Sequence, residues 1–250
     1  MVLEADILKV FLYTGAALST GIASLSAGFG EGYAAAHTAR SIMRQPNASS
    51  VLTRTMLISQ AVVESGAIFA LVISMLLLFG GFTQGGADWA KAFSLLGAGL
   101  AIGLGCTGPN FGSGYSAARA IEGIGRNPSK SGRITANMLI GQAITESGTI
   151  FALVVSLLLL YTVPAQMPEP SLAKMIMKAC AYITAGIVIG IGTFGPGTGI
   201  GYVAGKANIS ISKHSKDQGV ITRTMFLGAA VSESTAIYAL VISFLLIFVS

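Results

Sequence analysis

Three glutamates of this chain occupy the same position in a repeated apolar segment. They are Glu64 in QAVVESGAIFALVIS, Glu146 in QAITESGTIFALVVS and Glu233 in AAVSESTAIYALVIS. A charged side chain at the centre of a bilayer costs about 2.5–3.5 kcal/mol on lenient insertion scales. Because this cost recurs at the same position of all three repeats, we infer that the carboxylates have a function. The chemistry available to a carboxylate at that depth is the binding of a proton or a small cation. A fourth glutamate, Glu31, lies in an earlier segment and occurs once.

Polar residues accompany these glutamates at fixed distances. A serine directly follows each of the three: Ser65, Ser147 and Ser234. Gln60 and Gln142 stand four residues before the first two, one turn earlier on the same helical face, where the third repeat has Ala229. Oxygens of this kind complete the shell of a hard cation or hydrogen-bond a protonated acid. If Glu31 and Glu64 face one pocket, they share a proton or clamp a cation, because two bare carboxylates repel.

The glutamates belong to a repeat that covers the whole chain. A Gly-Tyr dipeptide recurs at Gly32, Gly114 and Gly201, and the glutamates follow it at the same distance of 32 residues in every case. Three units with one internal distance indicate three copies of a single structural unit.

Each unit contains two apolar segments, and every segment is longer than the roughly 20 residues that cross a bilayer as a helix. The glycine-rich first segments are 7–43, 91–125 and 172–212. The second segments, rich in Ile, Leu, Val and Phe, are 51–81, 133–161 and 219–249. We therefore predict an all-α membrane protein with six transmembrane helices in three tandem hairpins. The predicted hairpin boundaries are 1–82, 83–164 and 165–250.

Composition supports this fold class. Of the 250 residues, 53% are hydrophobic and 10% are charged, with a mean hydropathy of +0.74, whereas a soluble domain has about 25% charged residues. The basic pI near 9.3 does not indicate nucleic-acid binding, because the cations cluster in and beside the loops within hairpins. Cation-rich loops are cytoplasmic, which places both termini on the other side. Eleven of the fifteen basic residues lie there: Arg40, Arg44, Arg54, Arg119, Arg126, Lys130, Arg133, Lys206, Lys213, Lys216 and Arg223.

The first segments also predict how the helices pack. Small residues at helical spacing let helix backbones approach closely in lipid, and the second segments carry bulky residues instead. We expect first helices inside and second helices outside, in two concentric layers of a closed ring. A bulky residue at Gly112 or Gly199 is expected to break its assembly. The N-terminal segment, with Glu4 and Asp6 near its start, is interpreted as a retained spanning helix rather than a signal peptide.

Together these features resemble the proteolipid c subunit of rotary ATP synthases. The resemblance rests on the glycine-rich first helices, the loops Arg44-Gln45-Pro46 and Arg126-Asn127-Pro128, and the Gln-x-x-x-Glu-Ser segments. It covers essentially the whole chain three times over, as a triple-hairpin fusion. The third loop departs from the pattern, since it reads Lys213-His214-Ser215.

The family implies a rotor ring driven by proton or sodium flow and coupled to ATP synthesis or hydrolysis. Its partners would be further copies of the chain, a stator membrane subunit of the a or I type that supplies an arginine, central-stalk subunits at the cytoplasmic loops, and lipid. The location implied is a prokaryotic plasma membrane or another energy-coupling membrane. We find no nucleophile triad, metal cluster or phosphate loop, so the chain is expected to be non-catalytic, with ATP chemistry in another subunit.

The resemblance also implies a set of ion ligands. Sodium-binding members use a first-helix glutamine, a backbone carbonyl, the glutamate and serine, and a tyrosine. The glutamine position corresponds to Glu31, Ser113 and Ile200. The carbonyl position corresponds to Val62, Ile144 and Val231. The tyrosine position corresponds to Phe69, Phe151 and Tyr238. At the corresponding positions the chain has the serine three times, the tyrosine once and the glutamine never. The choice between H⁺ and Na⁺ as the transported ion therefore stays open. No cofactor is expected.

Two alternatives follow from the same residues. A proton- or sodium-coupled transporter or channel would need an asymmetric fold, and usually a basic partner within the chain. The spans show no clear buried cation, because Lys9, Lys174 and Lys178 lie near span ends. The second alternative, a purely structural membrane oligomer, leaves the repeated glutamates without a purpose.

Overall fold

The computed structural model describes residues 5–82, 88–165 and 171–249, which are helical apart from turns and short connections. The parts of the predicted inter-hairpin connections at 83–87 and 166–170 lie outside these residues, as do Glu4 and the last residue. The helices are α1 Ala5–Arg44, α2 Ser49–Phe79, α3 Trp89–Gly105, α4 Thr107–Arg126, α5 Ser131–Thr145, α6 Ser147–Tyr161, α7 Leu172–Gly192, α8 Phe194–Lys213 and α9 Gln218–Phe248.

These helices form six rods that are long and apolar enough to cross a membrane. The pairs α3/α4, α5/α6 and α7/α8 each continue one another across a single residue, and the six spans have mean hydropathies of 1.3–2.4. The prediction of an all-α membrane protein with three tandem hairpins is confirmed. Below, hairpin 1 is α1–α2, hairpin 2 is α3–α6 and hairpin 3 is α7–α9.

A short 3₁₀ turn closes each hairpin at the end predicted to be cytoplasmic. The turns are Pro46–Ala48, Pro128–Lys130 and Ser215–Asp217. Proline suits the first position of such a turn because its φ is fixed and its missing N–H has no partner there. The preceding residues Gln45, Asn127 and His214 have similar backbone angles, with φ between −143° and −125°. Hairpin 3 therefore makes the same turn without the proline that its sequence lacks.

Prolines account for the breaks between α3 and α4 and between α7 and α8. Pro109 and Pro196 lie three residues after these breaks and cannot donate to the carbonyl four residues earlier. For Pro109 that carbonyl belongs to Gly105, and the hydroxyl of Thr193 in hairpin 3 donates to it at 3.0 Å. Hairpin 1 has Ala27 at the corresponding position, and α1 is continuous.

Glycines bring the first helices together in one inner layer. Helix α1 packs against α3 and α4, which pack in turn against α7 and α8. A Cβ at Gly99 would overlap the backbone of Gly15, and one at Gly112 would overlap that of Gly197. The predicted packing role of the glycine stripe is confirmed. Each second helix packs over its own first helix, and α2 and α5 also contact the first helix of the next hairpin.

One edge of this layer is open. Gly103 and Gly114 of hairpin 2 contact the backbone of hairpin 1, whereas their counterparts 82 residues earlier, Gly21 and Gly32, have no atom within 4 Å of an added Cβ. Gly112 packs inside the chain, against Gly197 of hairpin 3, so a bulky residue there would first disturb the packing between hairpins of one chain. Gly199 likewise lies against its own hairpin, where a Cβ would meet the hydroxyl of Ser232.

Candidate ion-binding site

Glu146 lies at the junction of α5 and α6, within the fourth membrane span, and is 8% exposed. Three hydroxyl groups lie beside its carboxylate, and two of them donate to it. Ser113 on α4 reaches Oε1 at 3.1 Å, and Thr149 on α6 reaches Oε2 at 3.1 Å. The hydroxyl oxygen of Ser65 on α2 lies 3.5 Å from Oε2, while its hydrogen is directed to the Val62 carbonyl at 2.7 Å. Polar groups from three helices thus surround the buried carboxylate, and two of them donate the hydrogen bonds that it requires.

Gln142 lies one turn before Glu146 and is fully buried. Its Nε2 donates to the hydroxyl of Ser59 at 2.8 Å and to the backbone carbonyl of Ser113 at 3.1 Å. Its Oε1 is buried and has no hydrogen-bond partner within the part of the chain that the structure describes. A buried oxygen left this way costs about 1–3 kcal/mol, so this atom is suited to accept a bound donor or cation.

Ser65 shows that the site crosses between hairpins. It follows Glu64 in the sequence, yet its hydroxyl lies beside Glu146 of the next hairpin and also donates to the carbonyl of Val62 at 2.7 Å. Ser147, the serine after Glu146, instead donates to the carbonyl of Ile144 at 2.7 Å.

The surroundings of Glu64 are different. Glu64 is exposed in the single chain, and in the described residues no hydroxyl donates to it. Glu31 is half-buried. Gln60 donates to the backbone carbonyl of Glu31 at 3.3 Å, which repeats the bond from Gln142 to the Ser113 carbonyl. Because Gln60 stands one turn before Glu64, this bond places Glu31 on the stretch of α1 that packs beside that part of α2.

Glu233 is half-buried and has apolar neighbours at the corresponding positions. Ile200 and Ala236 replace the two hydroxyl residues of hairpin 2, and both are buried. Ser234 donates to the carbonyl of Val231 at 2.7 Å. Val231 and Tyr238 are 73% and 66% exposed, and no hydrogen bond of Tyr238 occurs among the described residues. The structure thus brings neither a second carboxylate nor this tyrosine to Glu233.

Sequence reasoning missed two residues of this site and one buried cation. Thr149 stands three residues after Glu146 on the same helical face, a spacing that identifies a neighbour, and Ser59 contacts Gln142. The expectation of no buried cation was wrong: Lys91 is 4% exposed and donates to the carbonyls of Leu160 and Val163. Lys91 thus caps the C-terminal end of α6 and of the fourth span. Leu160 lies 14 residues beyond Glu146, roughly 21 Å along a helix, so Lys91 does not pair with that glutamate.

The fold defines an integral membrane protein built from three tandem helical hairpins. The family model for the C subunit of ATP synthase matches residues 14–77, 96–159 and 183–246, once in each hairpin. The chain belongs to this family. It is an ATP synthase rotor-ring subunit in which three hairpins are joined in one polypeptide.

Individual relatives correspond to about one hairpin each. The chain is 42% identical over 85 residues to the ATP synthase c subunit of Petrotoga mobilis, covering 33% of this chain and 88% of the relative. It is 48% identical over 73 residues to the chloroplastic ATP synthase c subunit of Ostreococcus tauri, covering 29% and 89%. It is 48% identical over 74 residues to the ATP synthase c subunit of Prochlorococcus marinus, covering 30% and 91%.

Proposed function

We propose that the chain carries H⁺ or Na⁺ on Glu64, Glu146 and Glu233 and so couples ion flow across the membrane to rotation of the ring. The observation that supports this most directly is the carboxylate of Glu146, buried within a membrane span and surrounded by hydroxyls from two hairpins. A carboxylate of this kind passes through lipid when a bound cation neutralises it, and is held back when it is bare.

The unloaded state requires a counter-charge from outside the chain. Lys91 is committed to carbonyls at the end of a span, and the hydroxyls around Glu146 are neutral. An arginine of a stator subunit would attract the bare carboxylate strongly, because an ion pair gains most where water is excluded. Binding of a proton or cation neutralises the carboxylate and so removes this attraction. Loading and unloading beside the stator then give the ring its direction.

The remaining partners are proposed from charge and shape. The basic hairpin turns would lie on the cytoplasmic side and seat the central stalk, with both termini on the opposite side. Apolar residues of the second helices that are exposed in the single chain, such as Leu71, Val72 and Ile242, would face lipid. ATP synthesis or hydrolysis would take place on other subunits of the complex.

Glu146→Gln tests this function, with Glu122→Gln as the matched control. Glu122 lies in the same hairpin, pairs with Arg119 and Arg126, and has no contact with Glu146. In complexes reconstituted into liposomes, Glu146→Gln should abolish ion-driven ATP synthesis and ATP-driven ion uptake while the ring still assembles, because a glutamine cannot alternate between charged and neutralised forms. Glu122→Gln should retain both activities. Full coupling in Glu146→Gln would refute the proposal.

A further inference from the structure

A basic pocket lies between the second helices of hairpins 2 and 3, at the end of the molecule that is proposed to be cytoplasmic. Arg133 of α5, Lys216 of the hairpin 3 turn and Arg223 of α9 line it, and its volume is about 590 Å³. Every residue of its wall belongs to α5, to α9 or to that turn, so the pocket is part of the outer layer. We infer that it binds the headgroup of an anionic phospholipid and that each chain has one such site. This inference does not depend on ion carriage by the glutamates.

The charges of the pocket suit a phosphate group. Arg133, Lys216 and Arg223 are exposed in the single chain, and the ion pairs of the described residues involve neither Lys216 nor Arg223. Asp217, the acidic residue of the turn, lines a separate pocket between α8 and α9. A guanidinium donates two parallel hydrogen bonds to a phosphate, and an ammonium attracts it as a point charge. Basic pockets between membrane helices on the cytoplasmic side bind anionic lipid headgroups for this reason.

The wall of the pocket changes from basic to apolar with depth, as a phospholipid does. Arg223 lies five residues after the start of α9, roughly 8 Å along the helix. Phe226 also lines the pocket, is 44% exposed and lies roughly 12 Å along the same helix. A phosphate beside Arg223 would therefore bring the acyl chains of the same molecule against Phe226, which a free phosphate cannot use.

The pocket is separate from the ion-binding site of either hairpin. Glu233 lies ten residues beyond Arg223, roughly 15 Å along α9. Glu146 lies 13 residues beyond Arg133, roughly 20 Å along the second span of hairpin 2. A lipid headgroup between the arginines would thus lie near the membrane surface, far from both carboxylates.

Hydrogen bonds fix the two helices that carry the arginines. The hydroxyl of Thr222, which lines the pocket beside Arg223, donates to Oδ1 of Asn137 at 2.8 Å. Asn137 lies one turn after Arg133 on α5, and its Nδ2 donates to Asn208 of α8 at 2.8 Å. The packing of the two hairpins therefore sets the distance between the helices, and lipid binding requires only movement of exposed side chains.

The other boundaries between hairpins lack this set of cations. Between hairpins 1 and 2 the corresponding positions are occupied by Val51, Ser129 and Ala136. Between hairpin 3 and the next copy in a ring they would be occupied by Val220 and by Asn47 and Arg54 of that copy. The three boundaries thus have three cations, none and one at these positions. We therefore expect one lipid for each chain, which is one for every three hairpins.

Native mass spectrometry of the purified ring counts the bound lipids. Rings freed of native lipid are titrated in detergent with dioleoylphosphatidylglycerol, or with dioleoylphosphatidylcholine, which has the same acyl chains and a headgroup without net charge. Phosphatidylglycerol should bind as one molecule per chain before any weaker binding, and phosphatidylcholine should show no such step at the same concentrations. An excess of sodium phosphate should leave the bound lipid in place, because free phosphate lacks the acyl chains.

Charge-matched variants distinguish the pocket from the general positive charge of that membrane face. Arg133→Gln, Lys216→Gln or Arg223→Gln should each weaken phosphatidylglycerol binding about fivefold, and the three together roughly a hundredfold. The control removes three exposed cations at the same end of the molecule but outside the pocket, by Arg44→Gln, Arg54→Gln and Lys213→Gln. It should retain one lipid per chain. All six side chains are exposed, so both triple variants should fold and assemble.

The outcomes distinguish a lipid from other occupants. Equal phosphatidylglycerol binding by the two triple variants would overturn the inference, as would equal binding of phosphatidylcholine by the native ring. Complete displacement by sodium phosphate would assign the pocket to a free anion. Loss of the central stalk from complexes with the pocket triple variant, with lipid binding unchanged, would assign it to a protein partner. Ion-driven ATP synthesis by Glu146→Gln tests the proposed function separately.

Discussion

At Glu146 a membrane-embedded carboxylate is held by hydroxyl groups rather than by a cationic side chain. A permanent partner such as arginine would neutralise the charge at all times and leave little reason for an ion to enter or leave. Each neutral hydroxyl contributes about 1.5–3 kcal/mol as a hydrogen bond to a charged group, and it can rotate when the occupant changes. The residues around Glu146 are therefore suited to reversible binding.

Ser65→Ala should affect the glutamate of the neighbouring hairpin rather than its own. Because the Ser65 hydroxyl lies beside the Glu146 carboxylate and forms no described bond to Glu64, removing it should change the rate of carbodiimide labelling at Glu146 and leave Glu64 unchanged. The contact is long at 3.5 Å and the hydroxyl hydrogen is directed to the Val62 carbonyl, so we expect a small effect, about 0.5 kcal/mol or twofold. Ser234→Ala serves as the control, and labelling changes confined to Glu64 would contradict the contact.

Glu31→Gln should act on Glu64 alone among the glutamates of the single chain. Gln60, one turn before Glu64, donates to the backbone carbonyl of Glu31, whereas hairpin 2 has Ser113 at the position of Glu31. The substitution keeps the shape of the side chain and removes its charge, so the pH profile of carbodiimide labelling should shift at Glu64 and stay the same at Glu146. Identical profiles at Glu64 before and after the change would show that Glu31 lies outside the site.

At the scale of helices, the proline breaks tie hairpin 2 to hairpin 3. Pro109 frees the carbonyl of Gly105, and Thr193, which stands at the corresponding break of hairpin 3, donates to it. An unsatisfied buried carbonyl is costly in lipid, so this carbonyl requires a partner from outside its helix. The proline of hairpin 2 therefore creates a contact with hairpin 3.

Thr193→Val should loosen that contact while preserving the volume of the side chain. We expect a loss of about 0.5–1.5 kcal/mol, because the hydroxyl divides its one hydrogen between the Gly105 carbonyl and the Ile189 carbonyl of its own helix. Thermal denaturation of the ring in detergent measures this as a lowered transition temperature. Thr198→Val is the control, since its hydroxyl is exposed and donates only within its own helix, to Phe194 and Gly195. Equal effects of the two substitutions would contradict the assignment.

The repeated helices could be predicted from sequence because the signals are local. Long apolar runs determine the spans, and the residues around Pro46 and Pro128 determine the turns. The neighbour of Glu146 could not be found this way, since Ser65 reaches it across a hairpin boundary and sequence adjacency favours Glu64. Lys91 was missed for a related reason, because its carbonyl partners lie on a different helix, some 70 residues later.

At the scale of the molecule, the contacts between successive hairpins repeat with the sequence. Thr55 pairs with Thr135 at 3.2 Å between hairpins 1 and 2, and Asn137 accepts from Thr222 at 2.8 Å between hairpins 2 and 3. The next pair in this series is Thr224 with Thr53, and both residues are exposed in the single chain. A second copy, packed as hairpin 2 packs on hairpin 1, would bring them together and extend the layer towards a ring.

Gly32→Leu and Gly114→Leu should separate assembly of the ring from folding of the chain. Gly114 lies against the backbone of Gly30, so leucine there should disrupt the packing of hairpins 1 and 2. Gly32 faces open space at the free edge, so leucine there should leave the single chain intact and block the contact between copies. Native mass spectrometry and protease resistance report the two properties. Intact rings formed by Gly32→Leu would exclude this edge as the interface.

Because three non-identical hairpins are joined in one chain, the sites around a ring repeat every third hairpin. A ring made only of such chains contains a multiple of three hairpins, so its size changes by three hairpins at a time. Under the proposed function, each turn presents the stator with a repeating triplet: Glu64 of the hairpin that contains Glu31, Glu146 among hydroxyls, and Glu233 beside apolar residues. Single-molecule rotation traces should therefore show dwell times that recur at every third step.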